Sequence, residues 1–302
     1  MSQLLQNIRF EDISESPDLR LLPRLDRPGI DLAELTPEQV EWVENGMVIK
    51  RRFIPDDLLD AYIKRRAAFR PGTHWNAAGW PHGQCYEGIP ELREVALYTP
   101  LMALLESLIG EPMLFHLALT GWISSERDWH QDDYLNPSFI NTWYAAVWIA
   151  LDTVTPESGP FEYVPGSHRW PLLRGEKVRS FMTEDELERV EASTGVNQWP
   201  KYSERFVAPA IEEKIRLSGL PVTPFFAEKG DILVWHSRLM HRGSKRQAGW
   251  ISDDIGGVYP KFPRKSLITH YSGLHHRPDM LRRKRDKNGQ IYAVFDMPLT
   301  LD

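Results

Sequence analysis

The stretch DWHQDDY, residues 128–134, places an imidazole and a carboxylate two positions apart, at His130 and Asp132. On an extended strand, side chains two positions apart point to the same face, so these two are predicted to converge. A third ligand must then come from distant sequence. The best candidate is His241, at the far end of the predicted strand segment GDILVWHSRLMH, residues 230–241.

Two imidazoles and one carboxylate on one face of an octahedral metal leave three positions free, which is the arrangement that non-haem iron(II) uses. Open positions are typical of a catalytic metal site. However, His-x-Asp also occurs by chance, and a lone histidine near a strand end is more often a core or surface residue. The three residues by themselves leave both interpretations open.

Five segments together favour the metal interpretation. They are WHQD at 129–132, WIALD at 148–152, SGPFEYVPGSH at 158–168, GDILVWHSRLMH at 230–241 and RKSLITHY at 264–271. In their order and relative placement, over about residues 36–275, they resemble the phytanoyl-CoA dioxygenase family of iron(II)- and 2-oxoglutarate-dependent oxygenases.

The resemblance implies that His130, Asp132 and His241 bind iron, and that Arg264 pairs with the distal carboxylate of the cosubstrate 2-oxoglutarate. The last role fits the chemistry, because a planar guanidinium offers a carboxylate two parallel donors. The resemblance also implies that three further residues line or contact the cosubstrate pocket. These are Trp148, Gln131 and Ser244.

One feature departs from the family pattern. His241 and Arg264 are separated by 23 positions, more than in other members, and a loop insertion around residues 249–257 explains the difference. Arg246 therefore competes as the cosubstrate arginine. Arg264 is preferred because only Arg264 is followed by a strand-like segment, SLITHY.

The other histidines have less specific interpretations. His236 competes with His241 as a ligand, but it lies five residues earlier, and the opposite parity predicts that it points to the other face. His168 follows a Pro-Gly turn and is predicted to be structural. Core or surface positions, with substrate contact as the alternative, are predicted for His270, His275 and His276.

The resemblance implies a reaction in which dioxygen and 2-oxoglutarate give succinate and carbon dioxide while a small molecule is hydroxylated. Related halogenases replace the carboxylate ligand by a small residue, so the presence of Asp132 favours hydroxylation. Desaturation, cyclisation and epimerisation use the same ligand set and stay open. A non-catalytic cupin-like binding protein is the alternative from another class, but it would be expected to lose a ligand or the arginine.

The pattern of elements predicts a mainly β fold with peripheral helices, and the resemblance implies a double-stranded β-helix, the jelly-roll core of cupins. Helices are predicted from Thr36, over 54–66 and over 91–109, with a short strand MVIKRRF after Asn45-Gly46. Further strands are predicted in MLFHLALTGWI, TWYAAVWIALD, FEYVPGS and DILVWHS.

A single oxygenase domain is expected over residues 1–302. It divides into an irregular arm at 1–35, a helical flank at 36–110, a β-helix core at 112–275 and a basic segment at 276–302. A helical lid insertion is expected at 172–220, with helices in MTEDELERVEAS and APAIEEKIRLSG.

Composition and charge restrict the kinds of partner and compartment that are expected for this protein. The net charge of −6 gives no hint of nucleic acid, although Lys261–Lys287 holds nine basic against two acidic residues and is interpreted as a solvated face or an anion contact. Cys85 is the only cysteine, which favours a reducing, cytoplasmic compartment. No secretory signal and no apolar run of membrane-spanning length is found, so no membrane partner is expected.

The substrate is expected to be a small molecule, and the lid and residues 75–86 are expected to shape its pocket. Their aromatic and basic side chains suit an apolar body with an acidic group, such as an acyl-CoA, an amino-acid derivative or a natural-product intermediate. The side chains in question are Trp75, Trp80, Trp199, Lys201, Tyr202 and Arg205.

Overall fold

A computed structural model describes residues 8–68, 84–191, 199–252 and 258–295. The helices are α1 (Pro37–Asn45), α2 (Asp56–Ala67), α3 (Pro90–Ala96), α4 (Thr99–Ile109), α5 (Gly175–Arg179), α6 (Glu184–Glu191) and α7 (Trp199–Ser218). The strands are β1 (Ser14–Glu15), β2 (Met47–Lys50), β3 (Met113–Leu119), β4 (Tyr144–Ala150), β5 (Phe161–Tyr163), β6 (Leu172–Leu173), β7 (Thr223–Phe225), β8 (Ile232–His236), β9 (His241–Gly243), β10 (Trp250–Ser252), β11 (Val258–Pro260), β12 (Ser266–Gly273), β13 (Arg283–Arg285) and β14 (Ile291–Ala293).

Two sheets form the centre of the fold. The larger has the strand order β13-β14-β3-β12-β4-β8-β2, and the smaller has the order β7-β5-β9. Apolar side chains of both sheets share one buried cluster, which includes Trp148 and Trp235 of the larger and Phe161 and Phe225 of the smaller. The mainly β prediction is confirmed, and the two packed sheets are those of a jelly roll.

Strand β4 shows how the sequence builds both faces of the larger sheet. It is buried along its whole length, so its sequence reads as a continuous apolar run. Ala146 and Trp148 face the smaller sheet, while Val147 and Ile149 pack with the helices on the other side. One strand therefore packs against the smaller sheet on one face and against the helical layer on the other.

The single helix predicted over 91–109 is wrong. The chain forms α3 and α4 instead, with a break at Leu97–Tyr98. Pro100 explains the break, because proline lacks an N–H and its ring clashes with the carbonyl of residue i−4 in a continuous helix. Proline is tolerated in a first turn, and it lies there in α4.

Segments outside the predicted core range also join the larger sheet. Strand β2 pairs with β8, and β14 from the basic C-terminal segment pairs in parallel with β3. Strand β14 is buried, whereas β13 is exposed at the edge and carries the basic side chains. The sheet is therefore wider than the range 112–275 supplies.

The insertion at 172–220 contains α5, α6 and α7 after the short strand β6. Helix α7 starts well before the predicted segment and continues through Pro209. The N-terminal arm packs on it, since Phe10 and Ile13 share a buried cluster with Phe206 and Ile211. Trp75, Trp80 and the side chains of Trp199 and Lys201 lie outside the described residues.

Gly46 ends α1 with φ +72°, in the left-handed region that favours glycine. A Cβ placed there would lie 2.4 Å from Nδ1 of the buried His168. Gly110 ends α4 with φ +95° and has open space around the same position. A side chain at Gly110 would therefore cause backbone strain alone, whereas a side chain at Gly46 would cause backbone strain and a clash with His168.

We expect Gly110→Ala to lower the free energy of unfolding by roughly 1–2 kcal/mol, the cost of a left-handed alanine. Gly46→Ala should add roughly 1–3 kcal/mol of overpacking to that cost, because His168 has to move. Chemical denaturation of both variants measures the difference. Equal losses would contradict the close packing of His168 on α1.

Within the described ranges, none of the helices combines the length and the apolar composition needed to cross a membrane.

Candidate metal centre

His130, Asp132 and His241 lie together in the folded chain. All three are buried, and one ligand atom of each lies within 4.8 Å of the others. The sequence-based prediction that these three side chains converge therefore agrees with the geometry.

The convergence has a different origin from the one predicted. Residues 128–132 do not form a strand, and Asp132 has helical backbone angles, φ −81° and ψ −27°. His130 is instead held by two backbone hydrogen bonds to His241, each 3.1 Å long. The N–H groups of Asp132 and Asp133 both donate to the carbonyl of Ser237. Pairing with distant backbone thus fixes the loop.

His241 also lies on a different element from the predicted one. Strand β8 of the larger sheet ends at His236, the chain turns over residues 237–240, and His241 is the first residue of β9 in the smaller sheet. The site is therefore built across both sheets.

Hydrogen bonds at Nδ1 fix the proton positions on the two imidazoles. Nδ1 of His130 lies 2.7 Å from the carbonyl of Asp128, and Nδ1 of His241 lies 2.9 Å from the carbonyl of Leu239. A carbonyl oxygen can only accept, so Nδ1 carries the hydrogen in both rings. Each Nε2 then presents a lone pair, which is the form that binds a metal.

The carboxylate of Asp132 is oriented by a tryptophan. Nε1 of Trp235 donates to Oδ2 over 2.9 Å. The other oxygen, Oδ1, lies 3.8 Å from Nε2 of His130 and 3.7 Å from Nε2 of His241. Two imidazole lone pairs and one carboxylate oxygen therefore face a common point.

Burial keeps both imidazoles neutral. It is the main cause that lowers the pKa of His130 well below its ordinary value, and the nearby Arg127 lowers it further. Burial also lowers the pKa of His241, although Asp132 opposes the effect. Neutral imidazoles compete less with a metal ion for the lone pair.

Arg264 lines the same cavity as the three residues. It is 3% exposed, Nη1 donates to the carbonyl of Gly159 over 2.7 Å, and Nε has no partner. The described part of the chain offers it no carboxylate within ion-pair distance. Burial lowers its pKa to about 10, so the guanidinium stays charged near neutral pH. A buried cation without a counter-charge is costly, which points to an anionic ligand.

Gln131, Trp148 and Ser244 do not belong to the cavity wall formed by the described residues. Gln131 donates to the carbonyl of Arg238 and accepts from the N–H of Leu173, so its amide joins two loops. The hydroxyl of Ser244 donates to the carbonyl of Pro160. Both side chains contact other parts of the chain, and the contacts of Gln131, Trp148 and Ser244 with the cosubstrate stay predictions.

Trp148 packs behind the wall, where its ring lies 5.9 Å from the Arg264 guanidinium. The competing Arg246 is placed elsewhere, with Nε 3.6 Å from Glu126 and its guanidinium over the ring of Trp250. Of the two arginines, the geometry brings Arg264 to the metal-binding candidates.

His236 points to the opposite face of β8 from Trp235, as parity predicts. Its Nε2 lies 2.9 Å from the buried carboxylate of Asp26, and its ring packs against Trp42. Nε2 of His168 contacts the carbonyl of Val43. His276 lies on Trp143 and contacts Glu111. His236, His168 and His276 therefore have partners away from the cavity.

Trp235 and Arg127 were not predicted at the site, and both line the cavity. A signal existed for Trp235, because it has the opposite parity to His236 on the same strand. His270 was predicted to lie in the core or on the surface, with substrate contact as the alternative; it is buried and forms part of the cavity wall. Arg127 pairs with Glu204 of the lid helix α7, which only the folded chain reveals.

Residues 42–248 match the family model described as phytanoyl-CoA dioxygenase (PhyH). The match contains His130, Asp132 and His241, and it ends before Arg264. No curated protein matches the chain.

Solved structures support the fold. The epimerase SnoN, in complex with Fe3+, alpha ketoglutarate and nogalamycin RO, is 20% identical with a TM-score of 0.54, over 80% of this chain and 85% of that one. EctD from S. alaskensis with bound Fe is 14% identical with a TM-score of 0.53, over 90% of this chain and 84% of that one. Because the family match spans more than half of the sequence, the chain belongs to the phytanoyl-CoA dioxygenase family.

Proposed function

We propose that this protein is an iron(II)- and 2-oxoglutarate-dependent oxygenase that hydroxylates a small molecule, with His130, Asp132 and His241 as the iron ligands. The observation that carries the proposal is the convergence of two imidazole lone pairs and one carboxylate oxygen beside the buried Arg264, which has no carboxylate partner among the described residues. We treat residues 1–302 as one oxygenase domain, since Leu25 of the arm shares a buried cluster with the larger sheet and β14 pairs with β3 of that sheet.

The donor set suits iron(II). Two neutral imidazoles and one carboxylate leave coordination positions open, whereas structural zinc sites are usually closed by four protein ligands. When bound, iron(II) and 2-oxoglutarate would supply electrons that activate dioxygen for the oxidation of a C–H bond, with release of succinate and carbon dioxide. The residues of the chain hold and orient these groups and keep water away from them.

Arg264 supplies the charge for 2-oxoglutarate. Its desolvated guanidinium is stabilised when a carboxylate takes the place of the missing counter-ion. The cavity beside Arg264 is also lined by apolar side chains, Leu119, Phe161 and Ile268, which would surround the carbon chain of the cosubstrate.

Hydroxylation is the outcome favoured by the complete ligand set, because Asp132 occupies the position that a halide would need. SnoN is named as an epimerase, so the same fold also serves reactions that do not end in hydroxylation. The cavity combines apolar walls with the guanidinium of Arg127, which suits a substrate with an apolar body; an acidic group on that substrate would compete with Glu204 for Arg127.

Succinate formation tests the proposal. Purified protein with iron(II), 2-oxoglutarate and oxygen should release succinate, and a panel of acyl-CoA thioesters, amino-acid derivatives and natural-product intermediates should include compounds that accelerate it. A product heavier by one oxygen atom supports hydroxylation, an unchanged mass supports epimerisation, and a loss of two hydrogens supports desaturation or cyclisation. No succinate under any condition would favour a non-catalytic binding protein.

Trp235→Phe should weaken iron(II) binding by about 10- to 100-fold, the usual cost of losing a hydrogen bond that orients a metal ligand. The substitution removes the N–H that holds Asp132 and keeps most of the ring. Trp148→Phe is the matched control for iron affinity, because Nε1 of Trp148 has no partner among the described residues. Equal iron affinity in the two variants would show that the Trp235 bond does not orient Asp132.

A further inference from the structure

His270 is a buried imidazole on the cavity wall that the proposed iron set does not use. It lies on β12, is 6% exposed, and lines the cavity together with Ile268. Its Nδ1 is hydrogen-bonded to the hydroxyl of Tyr144. At the opposite edge of the ring, Nε2 is buried and has no partner in the described part of the chain.

The sheet register places His270 beside the iron-facing side of the cavity. Ala146 on β4 pairs with His270 on one side and with Trp235 on the other. Because alanine is small, both larger rings can lean toward the cavity, and their centroids are 6.0 Å apart. Trp235 bonds Asp132, so His270 lies across β4 from the residue that orients a predicted ligand.

The Tyr144 hydroxyl fixes the proton position on His270. Burial is the main cause that raises the pKa of Tyr144 well above its ordinary value, so the phenol keeps its single hydrogen. Among residues that the structure describes, His270 is the one acceptor within hydrogen-bond distance of that hydroxyl. Tyr144 therefore donates to Nδ1, and the ring hydrogen resides on Nε2.

The three imidazoles on the cavity wall thus differ in what they present. His130 and His241 donate through Nδ1 to carbonyl oxygens and present lone pairs at Nε2. His270 accepts at Nδ1 and presents an N–H at Nε2. A buried N–H without an acceptor is costly, so this donor is suited to an oxygen atom that arrives with a ligand.

The position of His270 indicates which oxygen atom of the ligand would accept a hydrogen bond from its Nε2–H. Arg264 precedes β12 and is assigned to the distal carboxylate of 2-oxoglutarate, while His270 lies six residues further along, toward Trp235 and Asp132. The two groups can therefore contact opposite ends of one molecule. The keto-acid end carries a carboxylate, and hydrogen bonds to a charged acceptor are the stronger ones.

We propose that His270 binds the keto-acid end of 2-oxoglutarate through its Nε2–H, and that Tyr144 is a positioning residue that holds His270 in this tautomer. This inference rests on the proposed function. His270 would then be a neutral donor at the keto-acid end of 2-oxoglutarate, and Arg264 the charged donor at its distal carboxylate.

Anaerobic titration of 2-oxoglutarate into the iron(II) protein, without substrate, tests the contact. His270→Phe should raise the dissociation constant by about 10- to 100-fold, the range for losing a hydrogen bond to a charged group, and should shift the visible charge-transfer band. His270→Gln places an amide N–H near the Nε2 position and should recover most of the affinity. His270→Asn places it near Nδ1 and should not.

The matched control is His116→Phe, which removes a buried histidine from the neighbouring strand β3. Nε2 of His116 is bonded to Ser272, and the residue does not line the cavity as described. We expect its affinity for 2-oxoglutarate to equal that of the wild type. Iron affinity should be unchanged in every variant of this series.

The tautomer can be checked without any ligand. Nitrogen-15 spectra of the metal-free protein should show the hydrogen of His270 on Nε2, and Tyr144→Phe should remove this preference. A hydrogen on Nδ1 in the wild type would overturn the inference. If His270→Phe shows the same charge-transfer band and the same affinity for 2-oxoglutarate as the wild type, the inference is also overturned. A wild-type protein that binds no 2-oxoglutarate would instead contradict the proposed function.

Discussion

His241→Ala is expected to lose stoichiometric iron and all succinate formation while it keeps its fold. The substitution removes one of three converging donor atoms, and an open site with two remaining protein ligands holds a metal weakly. Iron analysis after gel filtration, with circular dichroism as the measure of folding, gives the result. Alanine at His130 or Asp132 should have the same effect.

The control for this series is His236→Gln. His236 lies five residues before His241 and bonds the buried Asp26, and glutamine can keep a donor near the Nε2 position. This variant should retain iron. If it loses iron while His241→Ala keeps it, the ligand assignment on this segment is wrong.

Arg264→Ala is expected to weaken 2-oxoglutarate binding by about 30-fold or more and to leave iron affinity unchanged. Removing one partner of a desolvated charge pair costs roughly 2–5 kcal/mol, and each 1.4 kcal/mol is tenfold in affinity. Arg264→Lys should recover only part of the loss, because an ammonium lacks the planar fork of donors. Anaerobic titration of each variant with 2-oxoglutarate provides the dissociation constants.

The stability of the ligand-free protein should rise when Arg264 is replaced, whereas the affinity for 2-oxoglutarate should fall. Arg264 is a buried cation whose one hydrogen-bond partner in the described ranges is the carbonyl of Gly159, so Arg264→Met should raise the melting temperature of the ligand-free protein. Arg246→Ala is the control for cosubstrate binding, because Arg246 lies by Glu126 outside the cavity wall. Weaker binding in Arg246→Ala, with no change in Arg264→Ala, would contradict the assignment.

The spacing of His130 and Asp132 predicted their convergence, but for a reason that does not hold. Strand parity was the argument, whereas the loop is held by backbone bonds to His241 and Ser237. The parity argument for His236 compared it with His241 as if both lay on one strand, whereas His241 begins β9 of the other sheet; parity does hold for His236 and Trp235, which are neighbours on β8. Local periodicity is therefore reliable inside regular elements and carries less information in loops.

Contacts between distant segments could not be predicted in the same way. The parallel pairing of β14 with β3 joins the basic C-terminal segment to the sheet, and no local pattern specifies it. The role of His270 depends on its neighbour Tyr144, which is 126 positions away in sequence. Such partners are set by strand order in the folded sheet.

The most direct test of the account is anaerobic addition of 2-oxoglutarate to wild-type protein loaded with iron(II). The account predicts about one iron per chain and a weak visible charge-transfer band, which decays on exposure to oxygen as succinate appears. Protein that binds neither stoichiometric iron nor 2-oxoglutarate, and so gives no band, would contradict the proposal that His130, Asp132 and His241 form an iron site with Arg264 beside it.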